Sequence, residues 1–136
     1  KAYALAGGRV GYGLFSDPWL AERIDTLRTP FNVNSFGQAA ATAALKDIEH
    51  LRLTVSYNER ECARVTGELR QRGFWVVPSF ANFVFFDSGR NSLTVAEEFL
   101  KKGVIVKPWT AFGYENFLRV TIGSREDNDL FLDALR

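Results

Sequence analysis

A chain of 136 residues with 46% hydrophobic and 24% charged side chains carries enough apolar material for an ordinary soluble core, which excludes a disordered chain. Seventeen basic against sixteen acidic side chains leave a net charge of +1, and no basic block exceeds the pair Lys101 and Lys102, so no nucleic-acid or membrane partner is expected. One cysteine, Cys62, one histidine, His50, no signal-peptide pattern and no apolar run near the roughly 20 residues of a bilayer span point to a metal-free cytoplasmic protein without an internal disulfide.

The chain starts on Lys1 and contains no Met, which reads as the back part of a longer polypeptide. In RVGYGLF, from Arg9 to Phe15, Val10, Tyr12 and Leu14 alternate with small or polar neighbours, the period of a strand. Ser16 or Asp17 can cap a following helix, Pro18 suits its first turn, and Pro30 ends it. PFNVNS is expected to be an extended joint. SFGQAAATAALKD is rich in alanine, the best helix former, and its small side chains let another backbone approach closely.

From Ile48 to Arg72, Ile48, Leu51, Val55, Cys62, Val65 and Leu69 recur at spacings of a helix face, interrupted by Asn58 and stopped by Gly73. FWVV and NFVFF read as strands around a PSFA turn, and SLTVAEEFLKKG as a helix ending on Gly103. VIVKP and LRVTIG are two more strands, and SREDNDLFLDALR is a helix opened by a capping box of Ser124 and Asp127. Strand, strand, helix, strand, strand, helix predicts a small two-layer α/β unit with its helices on one face of a short-stranded sheet.

Three cations stand where they could do chemistry. Arg119 lies inside an apolar strand, on the face opposite Leu118, Val120 and Ile122, where it is either solvated or a planar fork for a carboxylate. Lys107 precedes Pro108 and the aromatic stretch Trp109, Phe112, Tyr114, which is either local core or the wall of a pocket for a ring-bearing or anionic substrate. In AGGRVGYG the paired glycines allow close backbone approach and Arg9 adds a cation, a pattern that is neither GxGxxG nor a Walker loop. Lys1 by itself is an ordinary lysine. Asn82 suits a turn, Cys62 a helix core, and His50 a cap or surface position.

Together, KAYALAGGRVGYG, PFNVNSFGQAAATAAL, PSFANFVFF, GVIVKP and FLRVTIGSREDNDLFLDAL resemble, in order and over essentially the whole chain, the fold-type I pyridoxal-phosphate aminotransferases, and within them the histidinol-phosphate aminotransferase branch. The resemblance implies the C-terminal part of such an enzyme. Residues 1–33 would be the tail of the large cofactor-binding domain, and 34–136 the interdomain helix and small domain.

Lys1 is then similar to the lysine that joins the cofactor aldehyde and shuttles a proton between substrate Cα and cofactor C4′, work that needs a neutral amine. Arg9, eight positions on, resembles the arginine that clamps the cofactor phosphate, and Arg119 the arginine that binds the substrate α-carboxylate. Lys107 stands where the branch commonly has Val-Arg-Pro, its arginine serving the substrate's phosphate. A lysine there is a hydrated point charge without the bidentate fork, which leaves an aromatic amino acid as an alternative substrate. A sister family that decarboxylates threonine phosphate shares the scaffold. The pyridinium-pairing aspartate and the ring-stacking aromatic belong upstream of Lys1 in the family, so this polypeptide alone is expected not to transaminate. A homodimer, a small-molecule amino donor and a 2-oxo acid acceptor are also implied. A cofactor-free α/β interaction module is the non-enzymatic alternative.

Overall fold

Helix signals written into the sequence set most of the chain's architecture. In the computed structural model, which describes residues 1–135, Asp17 caps α1 (Pro18–Asp25) through its carboxylate on Trp19 N, with Pro18 at the first helical position. Asn34 caps α2 (Ser35–Ala44) through Gly37 N, and α3 runs Ile48–Gln71 with Asp47 accepting from His50 N. Asn91 caps α4 (Ser92–Lys101), and a reciprocal Ser124–Asp127 capping box opens α5 (Arg125–Ala134). α3 and α4 stop in the same way. Phe74 N bonds Leu69 O while Gly73 N bonds Arg70 O, and Val104 N bonds Phe99 O while Gly103 N bonds Leu100 O. These are two Schellman closures, which need the left-handed φ of +87° at Gly73 and +79° at Gly103.

The chain forms two compact units, Lys1–Thr54 and the residues from Val55 on, and the division falls inside α3. The first unit holds a single 3-10 turn at Ala6–Gly8, followed by α1, α2 and the start of α3. RVGYGLF is not a strand. A strand exists only as part of a ladder, no described segment pairs with it, and Arg9 itself turns left-handed at φ +51°. PFNVNS is likewise bent instead of extended at its start, where Asn32 N closes onto Thr29 O and Phe31 has φ +58°.

In the second unit β1 (Trp75–Val76), β2 (Phe83–Asp87), β3 (Lys107–Pro108) and β4 (Phe117–Thr121) form one antiparallel sheet in the order β1-β2-β4-β3. β1 and β3 are shorter than FWVV and VIVKP suggest. Pro78 follows β1 closely, and Pro108 of β3 has no N–H to donate.

Alternation along β2 and β4 buries Val84, Phe86, Leu118 and Val120 under the helices. They meet Cys62, Val65 and Leu69 of α3, Val95 and Phe99 of α4, and Phe131 and Leu132 of α5. The ring of Phe131 stacks on Phe99 at 5.5 Å and meets Phe86 at 6.1 Å. Asn58, the polar break in the α3 stripe, donates its amide to Ala81 O and so ties the PSFA turn to the helix.

A buried carboxylate joins α3 to α5. Glu61 is 2% exposed and accepts from Arg64 at 2.7 Å, from Asn128 at 3.0 Å and from Arg125 at 3.4 Å, while Arg64 also holds Asp129 at 2.7 Å. The Arg64 and Asn128 hydrogen bonds outweigh burial and lower its pKa from the usual 4.5 to about 2. The same contact, seen from its partner, raises the pKa of Arg64.

A depressed carboxylate stabilises the fold above its unfolded pKa. This contribution, about 3 kcal/mol, is fully present above pH 4.5 and is lost as the pH falls towards 2. Glu61→Ala is therefore expected to cost about 3 kcal/mol at pH 7, because Arg64 and Asn128 lose their acceptor, and much less near pH 2. Urea denaturation at the two pH values checks it, and an equal cost at both would remove the charge from the explanation.

Candidate functional site

The first unit builds its site from the Lys1–Tyr12 segment and one face of α2. Ala4 N closes a turn onto Lys1 O, the 3-10 turn follows, and Arg9 N and Arg9 Nη1 both donate to Ala6 O, at 3.3 and 2.9 Å. Gly37, Ala41 and Ala44 recur on one face of α2 at helical spacing. Gly37 lies against the loop: a Cβ there would sit 2.6 Å from Gly8 O. Asn34 grips the same carbonyl, with Nδ2 donating to Gly8 O at 3.2 Å while Oδ1 accepts from Gly37 N at 2.7 Å.

Further along that face Ala41 and Ala44 are small enough to leave space, and they wall a cavity of about 580 Å³ shared by Lys1, Tyr3, Arg9 and Tyr12. Thus Lys1 and Arg9 are brought to one cavity, with an amine, a guanidinium and two phenol rings around it. The volume lies within the roughly 300–1,000 Å³ of small-molecule sites.

The second unit places the other two expected cations side by side. Arg119 on β4 is the register partner of Lys107 on β3 and of Phe85 on β2, and its guanidinium lies 5.4 Å from the centre of the Phe83 ring. Lys107 and Arg119 line a cavity of about 440 Å³ with Val104, Thr121 and Phe131. Among the described residues neither forms an ion pair, and Asp127, which also borders this cavity, is engaged in its capping box. Two like charges opposite each other on paired strands repel. An anion bound between them would remove that repulsion, which is what a carboxylate or phosphate subsite requires.

The aromatic stretch after Lys107 divides. Trp109 and Tyr114 pack with Phe85 and Phe117 on the sheet face away from the helices, at centroid distances of 5.6, 6.1 and 5.2 Å for Phe85–Trp109, Phe85–Tyr114 and Tyr114–Phe117. Phe112 is 96% exposed. Cys62 is core, Asn82 uses its carbonyl to accept from Ile122 N, and His50 is exposed beside Thr54. Among the described residues no group of three or more His, Cys, Asp or Glu could hold a metal ion, and no helix is long and apolar enough to cross a membrane.

Sequence reading missed Asn34, Gly37 and Glu61. A glycine inside an alanine-rich helix was the available signal for Gly37, since it costs helix stability of about 1 kcal/mol unless packing requires it. Nothing in the sequence marks Glu61, whose partners Asn128 and Arg125 are more than sixty positions away.

The family model for aminotransferase class I and II matches residues 1–135. The chain belongs to this aminotransferase family. Among aminotransferases of known sequence, it is 48% identical over 135 residues to histidinol-phosphate aminotransferase 1 of Mesorhizobium japonicum, covering 99% of this chain and 37% of that one. To histidinol-phosphate aminotransferase 3 of Rhizobium meliloti it is 45% identical, covering 100% and 37%. The crystal structure of histidinol-phosphate aminotransferase from Sinorhizobium meliloti in complex with pyridoxal-5'-phosphate superimposes with a TM-score of 0.87 at 29% identity, over 99% of this chain and 38% of that chain. The expected α/β aminotransferase fold is thus found, and the chain spans a little over a third of the length of these relatives.

Proposed function

We propose that this chain is the part of a pyridoxal-phosphate-dependent aminotransferase that carries its anchoring lysine, and that the whole enzyme exchanges an amino group between histidinol phosphate and 2-oxoglutarate or glutamate. The observation that carries the reading is the meeting of Lys1 and Arg9 on one cavity, an amine and a phosphate-matching guanidinium eight residues apart in sequence. The histidinol-phosphate aminotransferases at 48% and 45% identity support the substrate.

When bound, pyridoxal phosphate supplies an aldehyde and an electron-accepting ring. Lys1 would supply the amine that holds that aldehyde and would be the group that takes and returns the proton at substrate Cα. Arg9 would hold the cofactor's phosphate. Arg119 takes the carboxylate of amino and oxo acids in its fork, and Lys107 beside it gives a point charge for the phosphate of the substrate. The whole enzyme works as a cytoplasmic homodimer. Residues 1–33 belong to its cofactor-binding domain, and 34–136 to the interdomain helix and small domain.

Lys107 in place of an arginine favours a second reading, an aromatic amino acid aminotransferase. Against it, Trp109 and Tyr114 already spend ring surface on Phe85 and Phe117. Comparing kcat/KM for histidinol phosphate, phenylalanine and tyrosine on the full-length parent protein is expected to favour histidinol phosphate by at least about tenfold. The reverse order selects the aromatic reading. No visible cofactor absorption and no turnover with any of the three selects the cofactor-free module instead.

A further inference from the structure

We propose that Asn34 and Gly37 are positioning residues for the phosphate site: together they fix the path of the Gly7–Arg9 loop and thereby the place of the Arg9 guanidinium. The proposal rests on the reading of Arg9 as the phosphate-binding cation. Both residues act on one atom, the carbonyl oxygen of Gly8, immediately before Arg9. Asn34 holds it from one side with Nδ2 at 3.2 Å. Gly37 permits the approach, because an added Cβ would come to 2.6 Å from that oxygen, and backbone on both sides leaves no rotamer through which the clash could relax.

The same Asn34 side chain caps α2 through Gly37 N at 2.7 Å, so loop and helix share one hinge point. The loop needs such a hold. Arg9 is a non-glycine residue at φ +51°, a conformation that persists only where its surroundings impose it, and its own bonds run back to Ala6 within the loop. What anchors the turn to a regular element is the Asn34–Gly8–Gly37 contact.

The experiment compares binding of pyridoxal phosphate with binding of pyridoxal, which lacks the phosphate, to the full-length parent protein and its Asn34→Asp, Gly37→Ala and Arg9→Ala variants. Asn34→Asp keeps the acceptor for Gly37 N and replaces only the donor to Gly8 O, so it tests the tie even where Gly37→Ala does not fold. Expected for Asn34→Asp and Gly37→Ala is weaker pyridoxal phosphate binding by about tenfold, with pyridoxal changed by less than about twofold, a selectivity that general loosening would not produce.

Equal weakening of both ligands, or no change in either, overturns the positioning role, while a phosphate-selective loss in Arg9→Ala leaves the Arg9 assignment standing. Unselective loss in Arg9→Ala overturns that assignment and the positioning role with it.

Discussion

Lys1→Ala in the full-length protein is expected to lower the turnover of amino acid to oxo acid by about 10⁴-fold or more, the upper range for loss of a positioned acid–base group. An amine is needed to hold the aldehyde and then carry a proton at Cα, and among the described residues the cavity shared with Arg9 is lined by Tyr3 and Tyr12 but by no second lysine. Lys1→Arg separates charge from nucleophilicity: a guanidinium keeps the cation but is neither nucleophile nor base near neutral pH, so it should be as inactive as alanine. Single-turnover absorbance with a saturating amino donor checks both variants. Recovery of more than about a tenth of the wild-type rate in Lys1→Arg would assign Lys1 an electrostatic role only.

Arg119→Ala is expected to cost about 100-fold in kcat/KM towards both amino and oxo acids, equivalent to roughly 3 kcal/mol for a charge-assisted bidentate contact. Its position supports this size. It is half-buried, braced over Phe83, free of any ion pair among the described residues, and set beside Lys107 in a pairing that repels without an anion. Lys107→Ala, which removes an exposed point charge, should cost about tenfold or less, and mainly with a phosphate-bearing substrate. Steady-state kinetics with glutamate and histidinol phosphate separate the two. Comparable losses for both variants with both substrates would put the carboxylate elsewhere.

Which parts of this molecule could be read from sequence follows from the range of the forces involved. Helix caps and stops are local. Asp17 with Pro18, the Ser124–Asp127 box and the glycines at 73 and 103 act within a few residues of where they stand, and all do what their residue types suggest. The sidedness of LRVTIG was equally plain, because period-two alternation sends Leu118 and Val120 inward and Arg119 outward wherever the strand pairs.

RVGYGLF has the same alternation and failed as a strand. Alternation describes how side chains would be sorted, not whether a partner is present to complete the ladder. Glu61 and Gly37 were hidden for a related reason, since each is explained only by atoms brought near by the fold: Asn128 and Arg125 for the first, Gly8 O for the second. Lys1 and Arg9, and separately Lys107 and Arg119, could be singled out because they stand in motifs, and each pair lines a cavity of its own unit. Periodicity alone leaves Arg119 open between solvent and an anion; the family resemblance favours the anion, and the register with Lys107 sets a second cation beside it.

Borohydride reduction of the full-length protein loaded with pyridoxal phosphate, followed by peptide mass mapping, tests the role of Lys1 most directly. The reduced cofactor should be found on the peptide in which Lys1 precedes AYALAGGR, with loss of the visible absorption and of activity in proportion to labelling. Label on another lysine, or full activity after complete labelling, would contradict it.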